Sequence, residues 1–439
     1  MNPMNFTQRN EKPSLSFGVL SDLHMTHRGE GLQKLSRYMA LFSEITPKID
    51  AHVFAGDIIY QIDVSGGGTC ETVYHEPYLY LGAALQRYAK DTPLLYAIGN
   101  HEYPQHNLSP ELTAEARRLM EEATGKPLHY HEEINGYHFV VVDIANYACD
   151  ITEETEKWAM KEICKALSAS DNKPVFVVYH PPIYHTVEGA EGNHHSEKFA
   201  AFLLSNRRII NICGHLHTPM QSPLTIWQKK NGATVIHAPM AAVGYVVVPG
   251  SAARHLPRID QSQALYFEVF GSRVLIHKID VLEGKEVGEP WEIDTTGALH
   301  YTDKRKSLSA KPAFPKGAKA KVRAAEGGVL VSFPKAYNPK TPFNDDSEVP
   351  YYRFAFTRKG ETEECASLTW HSDFYMTTPR DAFEDTVRIS LEKGDYRVKI
   401  TPVSHFGKTG RSISATFSVT EKTALPYVRM EDPDLFPLL

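Results

Sequence analysis

The sequence predicts an α/β domain followed by a smaller all-β domain, and three observations carry that prediction. Over the first 300 residues short apolar runs alternate with helix-period patterns, as expected where helices cover a sheet. From Lys304 the texture becomes Lys-, Ala- and Pro-rich with little apolar periodicity, which marks a connecting segment. Beyond it, short strand-like runs follow one another without a convincing helix. At 439 residues the chain exceeds what one core usually organises, so two domains are expected.

The first domain is placed at residues 13–303. Residues 15–21 read as a strand that runs into Asp22, and Leu32, Leu35, Met39 and Phe42 then recur at helical spacing. Residues 52–55 run into Gly56-Asp57, and residues 94–98 into Gly99-Asn100-His101. Thr152 followed by Glu153 and Glu154 marks a helix start, with Ala159, Ile163 and Leu167 along one face. Residues 175–179 deliver His180, and residues 209–213 deliver Gly214-His215-Leu216-His217. Residues 304–317 are read as the linker. In the second domain, residues 318–421, strands are expected at 329–333, 351–356, 387–391, 396–403 and 413–419, with turns at Gly327-Gly328, Gly394-Asp395 and Gly407. This texture predicts a β-sandwich and resembles a fibronectin type III module. Residues 422–439, with three prolines, read as a poorly ordered or docked tail.

Composition narrows the function classes. Hydrophobic residues at 42% and charged residues at 23% are ordinary for a globular protein, which excludes a disordered or fibrous chain. A net charge of −6 gives no basic footprint for nucleic acid, so phosphate recognition has to come from a local site. The apolar stretch from Leu15 is too short for a signal-peptide core and no membrane-spanning run follows, so the expected location is the cytoplasm, with no membrane partner. Five scattered cysteines, an odd number, fit neither a disulfide framework nor a zinc ribbon. The 21 histidines are the informative residues.

Five of the predicted strands end in residues able to bind a metal or an anion. Ligands of open α/β sheets sit beyond the carboxyl ends of the strands, so these loops are expected to converge. Each motif alone has an ordinary reading. Asp22-Leu23-His24 could be a cap and a surface histidine, Gly56-Asp57 a turn, Gly99-Asn100-His101-Glu102 a strand-terminating turn, and His180 before Pro181-Pro182 a packed histidine. Gly214-His215-Leu216-His217 is the strongest, because two imidazoles two residues apart can point the same way from an extended segment. Together, imidazoles, two carboxylates and an amide oxygen suit Mn²⁺, Fe or Zn²⁺, whereas calcium would want oxygen ligands almost throughout. Asp57, in the middle of the set, is the natural bridging carboxylate.

Over roughly residues 15–280 this set resembles the calcineurin-like metallophosphoesterase superfamily. The resemblance implies a four-layer α/β sandwich with two mixed sheets and a centre of two metal ions. One ion would take Asp22, His24, Asp57 and His217, and the other Asp57, Asn100, His180 and His215. It further implies hydrolysis of a phosphodiester or phosphomonoester of a small molecule, nucleotides among the plausible classes, by a metal-activated hydroxide. Two cations ~3.5–4 Å apart neutralise the phosphoryl charge and make hydroxide available near neutral pH. His101 is the candidate general acid, or else a residue that orients Asn100. Gly56-Asp57-Ile58-Ile59-Tyr60 is similar to the purple acid phosphatases, where a tyrosine at the position of Tyr60 binds ferric iron. Those enzymes carry glycine where this chain has His24, so Tyr60 is read as supporting the site or packing, and Glu102 is placed with it.

Other polar features are less specific. His185, His194 and His195 lie in a loop that either lines a phosphate pocket or is solvated. Gly66-Gly67-Gly68 lacks the Lys-Ser/Thr ending of a nucleotide loop and reads as flexible. Arg254 and Tyr245 are further candidates for substrate contact. The competing reading is a silent first domain acting as a scaffold, with the carboxyl-terminal sandwich binding a carbohydrate or protein partner.

Overall fold

The computed structural model describes residues 4–6, 11–26, 31–60, 70–103, 110–191, 195–242, 245–247, 253–255, 261–339, 348–376 and 379–423; for 70–75, 245–247 and 253–255 this extends to the backbone alone. The chain divides into two compact units, one reaching Ser307 and the other beginning at Leu308. Gly66 to Gly68, His194, the side chains of Tyr245 and Arg254, and nearly all of the expected tail lie outside the described residues.

The first unit opens with β1 (Leu15–Leu20), α1 (Leu32–Ser43), β2 (Ala51–Phe54), α2 (Cys70–Tyr88), β3 (Leu94–Tyr96) and α3 (Pro110–Thr124). It continues with β4 (Tyr130–Ile134), β5 (Tyr137–Val142), α4 (Glu153–Ala169), β6 (Val175–Tyr179), α5 (Glu197–Leu203), β7 (Ile209–Cys213), β8 (Ile226–Gln228) and β9 (Thr234–His237). A hairpin of β10 (Tyr245–Val247) and β11 (Ala253–His255) precedes β12 (Gln263–Phe270), β13 (Arg273–Asp280), β14 (Lys285–Glu286), β15 (Trp291–Asp294) and the short α6 (Lys304–Leu308).

Two mixed sheets result. One runs β14-β13-β12-β1-β2-β3, with β15 also on β13; β1, β2 and β3 are parallel, whereas β12 is antiparallel to β1. The other runs β4-β5-β6-β7-β9-β8, parallel from β5 to β9. The central strands are buried on two faces, which is why β1, β6 and β7 read as nearly continuous apolar runs. Alternate side chains divide the work. Phe17 and Val19 of β1 join Phe139, Phe176, Ile212 and Phe267 in a core between the sheets, where Phe17 stacks on Phe267 at 4.5 Å. Leu20, Val140, Val177 and Tyr179 face outward into the cores shared with the helices.

The helices form where the periodicity places them. α1 buries Leu35, Met39 and Phe42, and its Tyr38 and Phe42 lie so close to Gly18 that a Cβ there would come within 2.5 Å. α4 starts at Thr152, whose side chain accepts the N–H of Thr155 at 3.1 Å, and it buries Ala159 and Ile163. The layers are therefore helix, sheet, sheet, helix. Among the described residues no helix is long and apolar enough to cross a membrane.

Residues 304–308, expected in the linker, instead form α6. Arg305 is buried there and donates to Ile226 O at 2.7 Å, with its guanidinium over the Tyr301 ring. The lack of apolar periodicity marked a connecting segment, but a guanidinium supplied with a carbonyl and a ring can be buried without such a pattern.

In the second unit β16 (Lys321–Ala325), β17 (Gly328–Pro334) and β20 (Ala382–Arg388) make a three-stranded antiparallel sheet; β18 (Tyr351–Arg358), β19 (Ala366–His371), β21 (Gly394–Val403) and β22 (Ile413–Val419) make a four-stranded one in the order β19-β18-β21-β22. Val331, Phe333, Phe383 and Val387 of the first share a core with Phe354, Val398, Ile400 and Phe417 of the second.

One buried histidine in the first unit gives a pH prediction. His277 of β13 lies between Glu268 Oε2, 3.0 Å from Nε2, and Glu286 Oε1, 2.5 Å from Nδ1. Burial opposes its charge, but the two carboxylates outweigh it and raise its pKa above 6.5. A raised histidine adds stability that is complete below the unfolded value and is lost as pH rises through the folded value. The stability advantage of the wild type over His277→Gln should therefore shrink as pH climbs from about 6 into the alkaline range. Urea midpoints whose difference is independent of pH would contradict this.

Candidate metal centre

The carboxyl ends of β1, β2, β3, β6 and β7 bring Asp22, His24, Asp57, Asn100, His180, His215 and His217 together. Five of them have left-handed backbone: φ is +54° at Asp22, +52° at His24, +51° at Asp57, +76° at His215 and +51° at His217. Outside glycine such conformations cost ~1–3 kcal/mol each and persist only where the surroundings fix them. Here the loops are laced together. Asp22 N–H donates to Gly56 O at 3.0 Å, His24 N–H to Asp57 O at 3.0 Å, and Met25 N–H to Ile58 O at 2.8 Å. The glycines of the motifs allow the approach: a Cβ on Gly99 would stand 2.1 Å from Asp57 Oδ1, and one on Gly214 2.1 Å from Ser21 Oγ.

The donor atoms fall into two overlapping groups. Asp22, His24, Asp57 and His217 form one, and Asp57, His180 and His215 the other, with ligand atoms in each within 4.8 Å of one another. Atoms each about 2.0–2.2 Å from a shared ion would lie no more than about 4.4 Å apart, so the spacing is near what an ion requires. Asn100 Oδ1 joins the second group, 2.8 Å from His215 Nδ1 and 3.3 Å from His180 Nε2.

Whether a cation fits can be judged from what these atoms do without one. His180 donates Nδ1–H to Ala55 O at 2.8 Å, so in the neutral ring Nε2 carries a lone pair. That lone pair faces Asp57 Oδ2 at 3.2 Å and Asn100 Oδ1, and Asp57 Oδ2 is buried without a hydrogen bond among the described residues. Three acceptors around one point call for a positive charge. Burial disfavours charge on His180, yet Asp57 and Asp22 push it up to about 9, which is the same demand expressed as a proton. On the other side His24 Nε2 and His217 Nε2 face each other at 3.0 Å, with Asp22 Oδ1 3.2 Å from His217 Nε2. Burial would raise Asp22, but His217 and His180 outweigh it and hold the carboxyl below the usual range. Burial and neighbouring His101 and His217 keep His24 neutral, as a nitrogen ligand must be. The donor set fits divalent cations.

Around this set, Glu102 does more than its expected supporting place suggested. Its buried carboxylate accepts the N–H groups of Asp57 at 3.0 Å, Ile58 at 2.8 Å, Ile59 at 3.0 Å and Gly99 at 2.7 Å, and the Tyr96 hydroxyl at 2.9 Å. One side chain thus pins the Asp57 loop to the Asn100 loop. Burial and Asp57 push its carboxyl up to about 7 against the opposing effect of the N–H donors on both oxygens.

His101 donates its backbone N–H to Asp57 Oδ1 at 2.8 Å. Its ring stacks on Tyr60 with centroids 4.9 Å apart and meets His24 edge-on at 4.7 Å, while its buried Nδ1 has no hydrogen-bond partner among the described residues. Burial holds its pKa below the usual histidine value despite Asp57. Tyr60 is half-buried and packs by its ring against His101 and His24.

His185 and His195 pack elsewhere in their loop. The exposed His185 ring lies on Tyr184, and buried His195 receives the Tyr184 N–H at 3.4 Å. Sequence reasoning missed His237, whose Nε2 accepts the Leu216 N–H at 3.2 Å between His215 and His217. Burial pushes it down to about 4, which keeps that acceptor free of a proton. Its place at the end of β9, like the other strand ends, was the available signal.

Comparison with known proteins agrees with this geometry in one respect. Residues 15–219 match the model of the calcineurin-like phosphoesterase family. No curated protein matches the chain. Similar solved structures include a purple acid phosphatase from seeds of yellow lupin, Lupinus luteus, at 15% identity over 64% of this chain, TM-score 0.44. This chain spans about half, 55%, of the lupin protein. A conserved uncharacterized protein of Streptococcus pneumoniae, described as a predicted phosphoesterase, is 11% identical over 64% of this chain and 97% of its own, TM-score 0.31. Vacuolar Protein Sorting 29 of Cryptosporidium parvum is 12% identical over 64% and 98%, TM-score 0.31.

Proposed function

We propose that this chain is a metal-dependent phosphoesterase hydrolysing a phosphodiester or phosphomonoester of a small molecule. The observation that carries the reading is the convergence of His180 Nε2, Asp57 Oδ2 and Asn100 Oδ1 on one point, where the neutral imidazole offers a lone pair and only a proton or a cation can join the three. The family match over residues 15–219 supports it. Asp22, His24, Asp57 and His217 would hold one ion and Asp57, Asn100, His180 and His215 the other, with Asp57 shared. Two cations so held, of manganese, iron or zinc, would neutralise the phosphoryl oxygens and lower the pKa of water near them.

The protein's own groups do the rest. Glu102 and the backbone lacing fix the loops before substrate arrives, so little reorganisation is required. His101 has Nδ1 enclosed, so Nε2 would be the nitrogen from which a proton passes to the leaving oxygen. Because burial lowers its pKa, the negative charge of the bound ester is what brings that proton on. The three-strand and four-strand antiparallel sheets with a shared core support a fibronectin type III-like sandwich for residues 318–421.

Hydrolysis of a bis-ester and a mono-ester reporter, with and without a chelator and with manganese, zinc or iron restored, tests the reading. Metal-dependent turnover of at least one reporter is expected. No such turnover of either would sink it and leave a scaffold with a binding sandwich as the surviving interpretation. His101→Asn should keep its metal content while losing ~10²–10⁴-fold in kcat on esters with poor leaving groups and far less on good ones. A loss that ignores the leaving group would remove His101 from the acid role.

A further inference from the structure

The loop after β5 reaches the same site, although it carries none of the metal-binding motifs. At its base Asp143, 2% exposed, is held by Arg117 Nη2 at 2.7 Å and His129 Nδ1 at 3.0 Å. Arg117 Nη1 also donates to the Tyr103 hydroxyl at 2.7 Å and Ile144 O at 3.2 Å, and that hydroxyl donates to Ile144 O at 2.7 Å. Tyr103 is two residues from His101, so this network ties the loop to the His101 segment.

The loop is also closed on itself. Asn146 Oδ1 accepts the Ala148 N–H at 2.9 Å and the Asp150 N–H at 3.3 Å, and its amide donates to Asp150 Oδ2 at 2.9 Å. Ala145 N–H donates to Asp150 O at 2.6 Å. Buried Cys149 holds a φ of +63°, a conformation kept only where surroundings impose it. This rigid loop presents Tyr147, half-buried, with its ring edge-on to His101: centroids 5.4 Å apart, planes at 88°.

His101 is therefore bounded by Tyr60 on its face and by His24 and Tyr147 at right angles. A histidine that moves a proton is usually oriented by a hydrogen bond from its second nitrogen to a carboxylate or carbonyl. Here that nitrogen, Nδ1, is buried without such a partner among the described residues. Ring packing is what remains to fix the imidazole plane.

We propose that Tyr147 is a positioning residue for the reaction, resting on the phosphoesterase reading above: its ring, on a loop fixed by Arg117, Asp143 and Asn146, holds the His101 imidazole in the orientation from which Nε2 protonates the leaving oxygen. The aromatic ring, not the hydroxyl, does this.

The test uses the full chain loaded with whichever of manganese, zinc or iron restores most turnover and a series of aryl phosphodiesters and aryl phosphomonoesters of graded leaving-group pKa, with kcat, KM and metal content measured for each protein. Tyr147→Phe should stay within about twofold of wild type, because the ring edge is kept. Tyr147→Leu should lose ~10–100-fold in kcat on the poorest leaving group and little on the best, with KM and metal content unchanged. Tyr147→Gln serves the same comparison if the leucine variant melts early. A leucine or glutamine variant with wild-type kcat, a loss equal across the series, or a fall in metal content would overturn the proposal. Wild-type protein without metal-dependent turnover overturns the phosphoesterase reading and this one together, whereas an active wild type with an indifferent Tyr147 overturns this one alone.

Discussion

Glu102→Ala is expected to destabilise the metal-free chain by about 3–5 kcal/mol, the range for removing one partner from a buried charged network. Four backbone N–H groups and the Tyr96 hydroxyl end on this carboxylate, and all of them lie in buried structure. Alanine leaves those donors without an acceptor, and an unsatisfied buried donor costs about 1–3 kcal/mol. Water entering the space vacated by the side chain keeps the total below the sum over the five donors. Glu102→Gln keeps the volume but turns an NH₂ toward N–H donors, so it should fall between alanine and wild type. Urea unfolding in the presence of a chelator measures both. An alanine variant within about 1 kcal/mol of wild type would mean that the loops are held by their mutual lacing and not by Glu102.

Asp57→Asn separates from this in a second and larger effect, on the centre. Asp57 belongs to both donor groups, and its Oδ2 is buried without a hydrogen bond among the described residues. An amide keeps the shape and removes the charge that two cations would share. We expect manganese binding to weaken by about 100-fold or more at both positions together, since changes even in residues behind the ligands cost about 10–100-fold. The rise in Tm expected when manganese binds the wild type should vanish in the variant. Equilibrium dialysis showing full occupancy in the variant would contradict the shared role of Asp57.

What could be read from the sequence followed from where chemistry-bearing residues stood relative to apolar runs. Asp22, Asp57, Asn100, His180 and His215 each follow a run of buried residues, and strand ends are where parallel sheets gather their functional groups. The faces of α1 and α4 were legible because Leu35, Met39 and Phe42, or Ala159 and Ile163, repeat at the helical period. The Glu102 clamp was not legible, because four of its five partners are backbone N–H groups, which every residue carries. Nor was Tyr147, since a tyrosine in a loop has no pattern of its own and its meaning comes from Asn146 and Arg117 fixing it beside His101. In the second unit β20 lies at Ala382–Arg388, several residues before the expected strand at 387–391, because polar residues such as Glu384 and Asp385 hide the alternation that buries Phe383 and Val387.

The left-handed backbone at Asp22, His24, Asp57, His215 and His217 sets stability against activity at the three histidines among them. At His24, His215 and His217 glycine would relieve the backbone and abolish a donor atom, so a screen that rewards only thermal tolerance should drift toward glycine there, whereas at Asp22 and Asp57 it would also strand the N–H groups of His215 and His101 that those carboxylates accept. Variants recovered in that way would melt higher and bind no metal. Thermostabilised forms of this chain are therefore best selected with the cation present, where the ion's own binding energy favours the strained residues over their relaxed replacements.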